Sequence, residues 1–129
     1  MTAADLQALA RRAVACPRWR WMPGMQWTVE RAEPLEDLFG RVPDDMRGWT
    51  PQPNAMPVFS GPATLGCLLA LVRDAHGAAA VVYLPMDGAI RCWRVVTFAH
   101  GADWLTPARL FGEGATEAEA LVAALERAP

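Results

Sequence analysis

The sequence predicts an α+β domain of mixed α/β composition: a small antiparallel sheet of about three strands, packed by two or three helices and interrupted by a long Pro-rich loop. Three observations carry this. Two segments have apolar residues at helical spacing behind capping signals, at 3–15 and 62–76. A third such segment closes the chain after Thr116. Between them, Ala79–Leu84 and Ile90–Phe98 are β-rich runs separated by Pro85-Met86-Asp87-Gly88, the pattern of a hairpin.

In chain order, Thr2-Ala-Ala-Asp5 resembles a capping box, and Leu6, Leu9, Ala10 and Ala13 follow on one helical face until Pro17 stops the helix. Arg18 to Met25 is a turn-bearing connection. Gln26 to Glu30 alternates, placing Trp27 and Val29 on one face of a short strand. Residues 31–61 carry Pro34, Pro43, Pro51, Pro53 and Pro57 and form an expected irregular loop, anchored by residues such as Leu35, Phe39 and Trp49. Pro62 sits at the first position of the next helix, where its missing N–H is harmless, with Ser60 or Gly61 as its cap and Gly77 as its end. Both faces of the returning hairpin strand are largely apolar, so a second helix, a loop or a second copy of the chain is expected to cover one of them. A homodimer is therefore one expectation. Gly112-Glu113-Gly114 reads as a flexible entry to the last helix, which begins at the capping box Thr116-Glu-Ala-Glu119.

Composition narrows the function classes. The 129 residues suit one domain over 1–129, and a chain of this size buries roughly two-thirds of its unfolded surface. With 53% hydrophobic and 20% charged residues it is neither disordered nor membranous. No apolar run approaches the roughly 20 residues needed to cross a bilayer, and the N-terminus lacks the order of a secretory signal, so a cytoplasmic location is expected. Cys16, Cys67 and Cys92 are odd in number and lie in apolar or aromatic runs, as reduced thiols do. All twelve basic residues are arginine, yet the net charge is −2, which gives no general basic excess for nucleic acid. Arg11, Arg12, Arg18 and Arg20 form the local exception.

No catalytic pattern is visible, so no catalytic residue, metal or cofactor is expected. There is no G-x-S-x-G elbow, and neither His76 nor His100 has a matched nucleophile or carboxylate nearby in sequence. No Cys or His spacing suits zinc, and the adjacent pairs Glu36-Asp37 and Asp44-Asp45 point apart as solvated loop charges do.

Three blocks, RRAVACPRWRWMPGM from Arg11 to Met25, PATLGCLLALVR from Pro62 to Arg73 and ATEAEALVAALE from Ala115 to Glu126, together resemble a group of small uncharacterised phage and prophage proteins. The second and third, with a hairpin between them, are also similar to the phage ABA-sandwich domain. The resemblance implies a phage accessory protein in the cytoplasm of a host bacterium. Such proteins often inhibit host defence, CRISPR effectors included. No catalytic residues come with the resemblance.

Two site expectations follow. In the first, the chain binds a host protein or complex through Trp49, Phe59 and Trp104 as aromatic anchors, with Asp44 and Asp45 meeting basic surfaces. In the second, Arg18, Trp19, Arg20 and Trp21 bind a nucleotide or short single strand, arginines on phosphate and an indole on a base. The same indoles also read as core filling, with the arginines lying along them. Trp27 and Trp93, on expected strands, read as core; Trp49 and Trp104, in loops, as exposed.

Overall fold

Helix α1 (Ala3–Ala15) begins where Thr2 leaves the helical region. The Thr2 hydroxyl accepts the Asp5 amide at 3.1 Å while the Asp5 carboxylate accepts the Thr2 amide at 2.9 Å, closing the capping box. Two amide donors left open by the helix start are thereby satisfied. Leu9, Ala10 and Ala13 turn inward, and the helix ends at Cys16, extended as a residue before proline must be.

This is a computed structural model, and it describes residues 2–29, 38–85, 91–98 and 109–129. After α1 come β1 (Gln26–Val29), β2 (Leu38–Arg41), β3 (Met56–Pro57), α2 (Pro62–His76), β4 (Val81–Tyr83), β5 (Trp93–Thr97), β6 (Arg109–Gly114) and α3 (Glu117–Glu126). The fold is α+β. Its strands form two three-stranded antiparallel sheets, ordered β2-β1-β3 and β4-β5-β6, instead of one. The expected hairpin is the β4–β5 pair, with Val82 opposite Val95; of its expected turn, 85–88, all but Pro85 lies outside the described residues. Among those described, no helix is long and apolar enough to cross a membrane.

The extra sheet corrects the reading of 31–61 as irregular, since β2 and β3 both lie inside it. Each is recruited by the backbone of β1 and not by its own pattern: Gln26 to Val29 pair with Arg41 to Leu38 on one side, and Trp27 and Thr28 with Pro57 and Met56 on the other. Proline is tolerated in β3 because that strand is an edge. Opposite Trp27, Gly40 leaves room for the indole to lie across the strand, where a Cβ would collide with the ring.

The second correction concerns Gly112 and Gly114. They belong to strand β6, which pairs with β5 through a bulge at Val95/Val96, and they form a seat for α3. A Cβ at Gly112 would stand 2.5 Å from the Ala124 amide nitrogen, and one at Gly114 2.6 Å from the Glu119 Cβ. Backbone thus meets backbone. Alanines at 118, 120 and 124 match from the helix side, all buried. Thr116 caps α3 by accepting the Glu119 amide at 3.2 Å, while the Glu119 carboxylate accepts the Ala115 amide at 2.8 Å, one residue earlier than a strict capping box.

Both sheets border one core. Met25 and Val42, which flank β1 and β2, join Leu68, Leu71 and Val72 of α2, Leu121 and Leu125 of α3, and Val95 and Phe111 of the second sheet in it, and Met56 of the first sheet packs against it. Trp27 and Trp93 pack against it half-buried, in line with their expected core role. His76, at the end of α2, bonds through Nε2 to the Ala124 carbonyl at 2.7 Å and stacks on Phe111 at 4.3 Å between centroids. Thr64 is wholly buried, its hydroxyl accepting the Gln26 amide at 3.0 Å and so tying α2 to β1.

Two glycine substitutions should act in opposite directions. Gly112→Ala forces a methyl between β6 and α3 and is expected to lower stability by about 1–3 kcal/mol. Gly66→Ala, in the exposed interior of α2 with nothing within 4 Å, is expected to raise it by about 0.5–1 kcal/mol through helix propensity. Urea unfolding followed by circular dichroism measures both; stability unchanged by Gly112→Ala would contradict the close seat. Thr64→Val orphans the Gln26 amide and is expected to cost about 1–3 kcal/mol in the same measurement.

Candidate functional site

The chain between α1 and β1 doubles back twice. The Trp19 amide bonds to the Cys16 carbonyl at 3.0 Å, and the Met25 amide to the Met22 carbonyl at 3.1 Å. Gly24 takes φ +92, a conformation glycine adopts without strain, and its amide reaches the Val42 carbonyl at 3.0 Å. The Val42 amide returns to the Met25 carbonyl at 2.8 Å. This reciprocal pair staples the Arg/Trp segment to the loop that follows β2.

That loop is itself folded by local bonds. The Asp45 carboxylate accepts the Arg47 amide at 3.0 Å and its guanidinium Nε at 3.3 Å. Gly48 takes φ +72, and the Trp49 amide bonds to the Met46 carbonyl at 3.0 Å. The consequence is a cluster of three indoles. Trp19 and Trp21 meet edge to face at 5.4 Å and 87°; Trp21 and Trp49 do so at 6.4 Å and 73°. Such pairs add about 0.5–1.5 kcal/mol beyond area burial. Met22 and Met46 join the indoles at the edge of the core, all five half-buried. The sequence offers Met46 as an apolar anchor of the 31–61 stretch, while Met22 lies on no periodic face.

The residues expected in two separate sites therefore meet on one surface. Trp19 and Trp21 come from one loop, and Asp44, Asp45 and Trp49 from the other. Asp44 and Asp45 are exposed, and Arg41, Val42, Pro43 and Asp44 line a shallow hollow of about 220 Å³ beside them. Trp49 is half-buried, not the freely exposed loop aromatic expected, because its ring packs on Trp21.

Phe59 must be removed from the set. It is 6% exposed and belongs to the core: the Val58 amide bonds to the Gln26 carbonyl at 2.9 Å, and strand alternation then turns Pro57 and Phe59 inward. Trp104 and His100, like the pair Glu36-Asp37, lie outside the described residues.

The arginines beside the indoles already have partners. The Arg18 guanidinium donates to the Pro129 backbone carbonyl at 3.0 and 2.8 Å, and Arg20 pairs with Asp74 at 3.3 Å. Both members of the second pair are more than half exposed, so the pair is worth at most about 1 kcal/mol. The Trp19 Nε1 is buried without a partner.

Among the described residues, no group of three His, Cys, Asp or Glu is placed to hold a metal. His76 is committed to Ala124 and Phe111. Cys16 is buried with its thiol on the Arg12 carbonyl, and Cys67 reaches the Pro23 carbonyl at 3.5 Å; burial pushes both thiols above their ordinary pKa, away from the reactive thiolate.

The Arg47 backbone amide, and then its side chain, hold the Asp45 carboxyl below the ordinary aspartate value of about 3.9. A depressed folded value means the turn's support is fully present above that ordinary value and is lost as pH falls through the lower one. The Arg47 amide resonance is therefore expected to titrate with a midpoint below that of a free aspartate, and Asp45→Asn is expected to abolish the titration. A midpoint at the ordinary value would contradict the bonded turn.

Comparison with protein-family models, with curated proteins and with solved structures found no match to this chain.

Proposed function

We propose that this chain acts without catalysis, by binding another protein through the surface formed by Trp21 and Trp49. The observation that carries this reading is the convergence of indoles from two loops stapled together by backbone hydrogen bonds. Half-buried tryptophans on a fixed backbone offer large contact area at little entropic cost, which is why they dominate binding hot spots. Met22 and Met46 supply adaptable apolar area around them. Exposed Asp44 and Asp45, in the loop that carries Trp49, and exposed Arg20, next to Trp21 in the chain, supply polar groups that select orientation more than affinity. The resemblance of three sequence blocks to phage proteins makes a host protein the partner class, with a defence complex such as a CRISPR effector as the setting to test first.

Nucleotide or single-strand binding by Arg18, Trp19, Arg20 and Trp21 has less support. Phosphate would have to displace Pro129 from Arg18 and Asp74 from Arg20, and a base would have to compete with the neighbouring indoles for Trp19 and Trp21.

Capture from host lysate on immobilised protein, compared with capture on Trp49→Ala and Trp21→Ala, tests the proposal. Each substitution is expected to weaken the captured partner's affinity by roughly thirtyfold, the effect of a hot-spot residue worth about 2 kcal/mol. Capture unchanged by both would end it. A tryptophan-fluorescence titration with nucleotides and oligonucleotides that saturates, and weakens steeply with salt, would favour the other reading.

A further inference from the structure

On another part of the surface, α1 runs beside β3 with a trough between them. One cleft, of about 190 Å³, is lined by Leu6, Ala10, Met56, Pro57 and Val58 among others. A second, of about 530 Å³, continues past Met56 to Arg11, Val14 and Asn54. Met56 belongs to both, so the clefts adjoin. Leu6 and Val14 are 39% and 37% exposed, two of the few large apolar side chains left to solvent among the described residues. The larger cleft falls within the roughly 300–1,000 Å³ of small-molecule sites.

The chemistry of the trough is polarised. Its Leu6 end is mainly apolar, with Gln7, Thr28 and Ser60 as its uncharged polar lining. At its other end stands Arg11, among the described residues the one ionisable side chain lining either cleft, and among them it makes no ion pair. Asn54 faces the same cleft from a turn in which it holds φ +64, a conformation asparagine tolerates better than most residues. Among the described residues, no carboxylate lines the trough to neutralise Arg11. A peptide strand is a poor occupant, because Pro57 has no N–H and the Ala55 and Val58 amides are spent on Gln52 and Gln26.

We infer that this trough binds an amphiphile with one anionic head, an acyl carboxylate, its head on Arg11 and Asn54 and its chain along Leu6, Ala10 and Met56. Burying the chain removes apolar surface from water, and a guanidinium bonds a carboxylate in bidentate fashion. From Arg11 back to Ala3 the helix rises about 12 Å at about 1.5 Å per residue, room for a medium-length chain.

Sodium decanoate is the probe. Titrated into the labelled protein, it is expected to shift amide resonances of α1 and of residues 54–60 and to leave those of 45–49 in place. Arg11→Gln is expected to weaken binding at least tenfold, and Leu6→Asp to do the same from the other end. Both sites are exposed, so an unchanged thermal midpoint confirms that each variant is folded. Decyltrimethylammonium, with the same chain and the opposite charge, is expected not to compete. Trp21→Ala is expected to bind decanoate normally, which separates this site from the aromatic surface. Absence of decanoate binding, equal binding of the cationic amphiphile, or indifference to Arg11→Gln would overturn the inference. So would sedimentation showing a dimer that Leu6→Asp dissociates, since the trough would then hold a second copy of the chain.

Discussion

The close seat of α3 on β6 is the contact on which the rest of the molecule leans. Gly112 and Gly114 bring the strand backbone against the helix, and Ala118, Ala120 and Ala124 let the helix come down to it. With that spacing set, Leu121 and Leu125 reach the core that α2 and both sheets share, and the Ala124 carbonyl meets His76. Dispersion and apolar burial both fall steeply with small gaps, so a helix held even slightly farther away would loosen every layer at once. The final helix is the keystone.

The aromatic surface depends on a smaller device. Two backbone hydrogen bonds between the 24–25 turn and Val42 carry the β1–β2 pairing one step past Gln26 and Arg41 and so hold the two loops together. Because Met25 and Val42 are fully buried, those bonds sit where water competes poorly. The indoles of Trp19, Trp21 and Trp49 are thus presented from a fixed backbone, although each comes from a loop. Binding through such a surface loses little conformational freedom. The trough along α1 is built differently, from an exposed edge of the same helix whose inner face makes core.

The helices were legible in the sequence almost residue for residue. Thr2 with Asp5, Pro62 with Gly77, and Thr116 with Glu119 are signals that act within one turn of the chain, and helical hydrogen bonds close over four residues. The β4–β5 hairpin was legible for a related reason, since its partners are near in sequence. The candidate site was legible only in part. Trp19, Trp21, Asp44, Asp45 and Trp49 could be named, but their assembly into one surface could not.

What only the tertiary structure decided was everything that pairs at a distance. Strands β2 and β3 exist because β1 offers them hydrogen-bonding partners, and β6 because β5 does. Their own residues, rich in Gly and Pro, carry little strand preference. For the same reason Phe59 became core, Trp49 came to rest on Trp21, and a pair of glycines that looked like slack became the tightest contact in the fold. Local bonds are written into adjacent residues; a strand, a buried ring and a close approach acquire their meaning from atoms that the chain delivers from elsewhere.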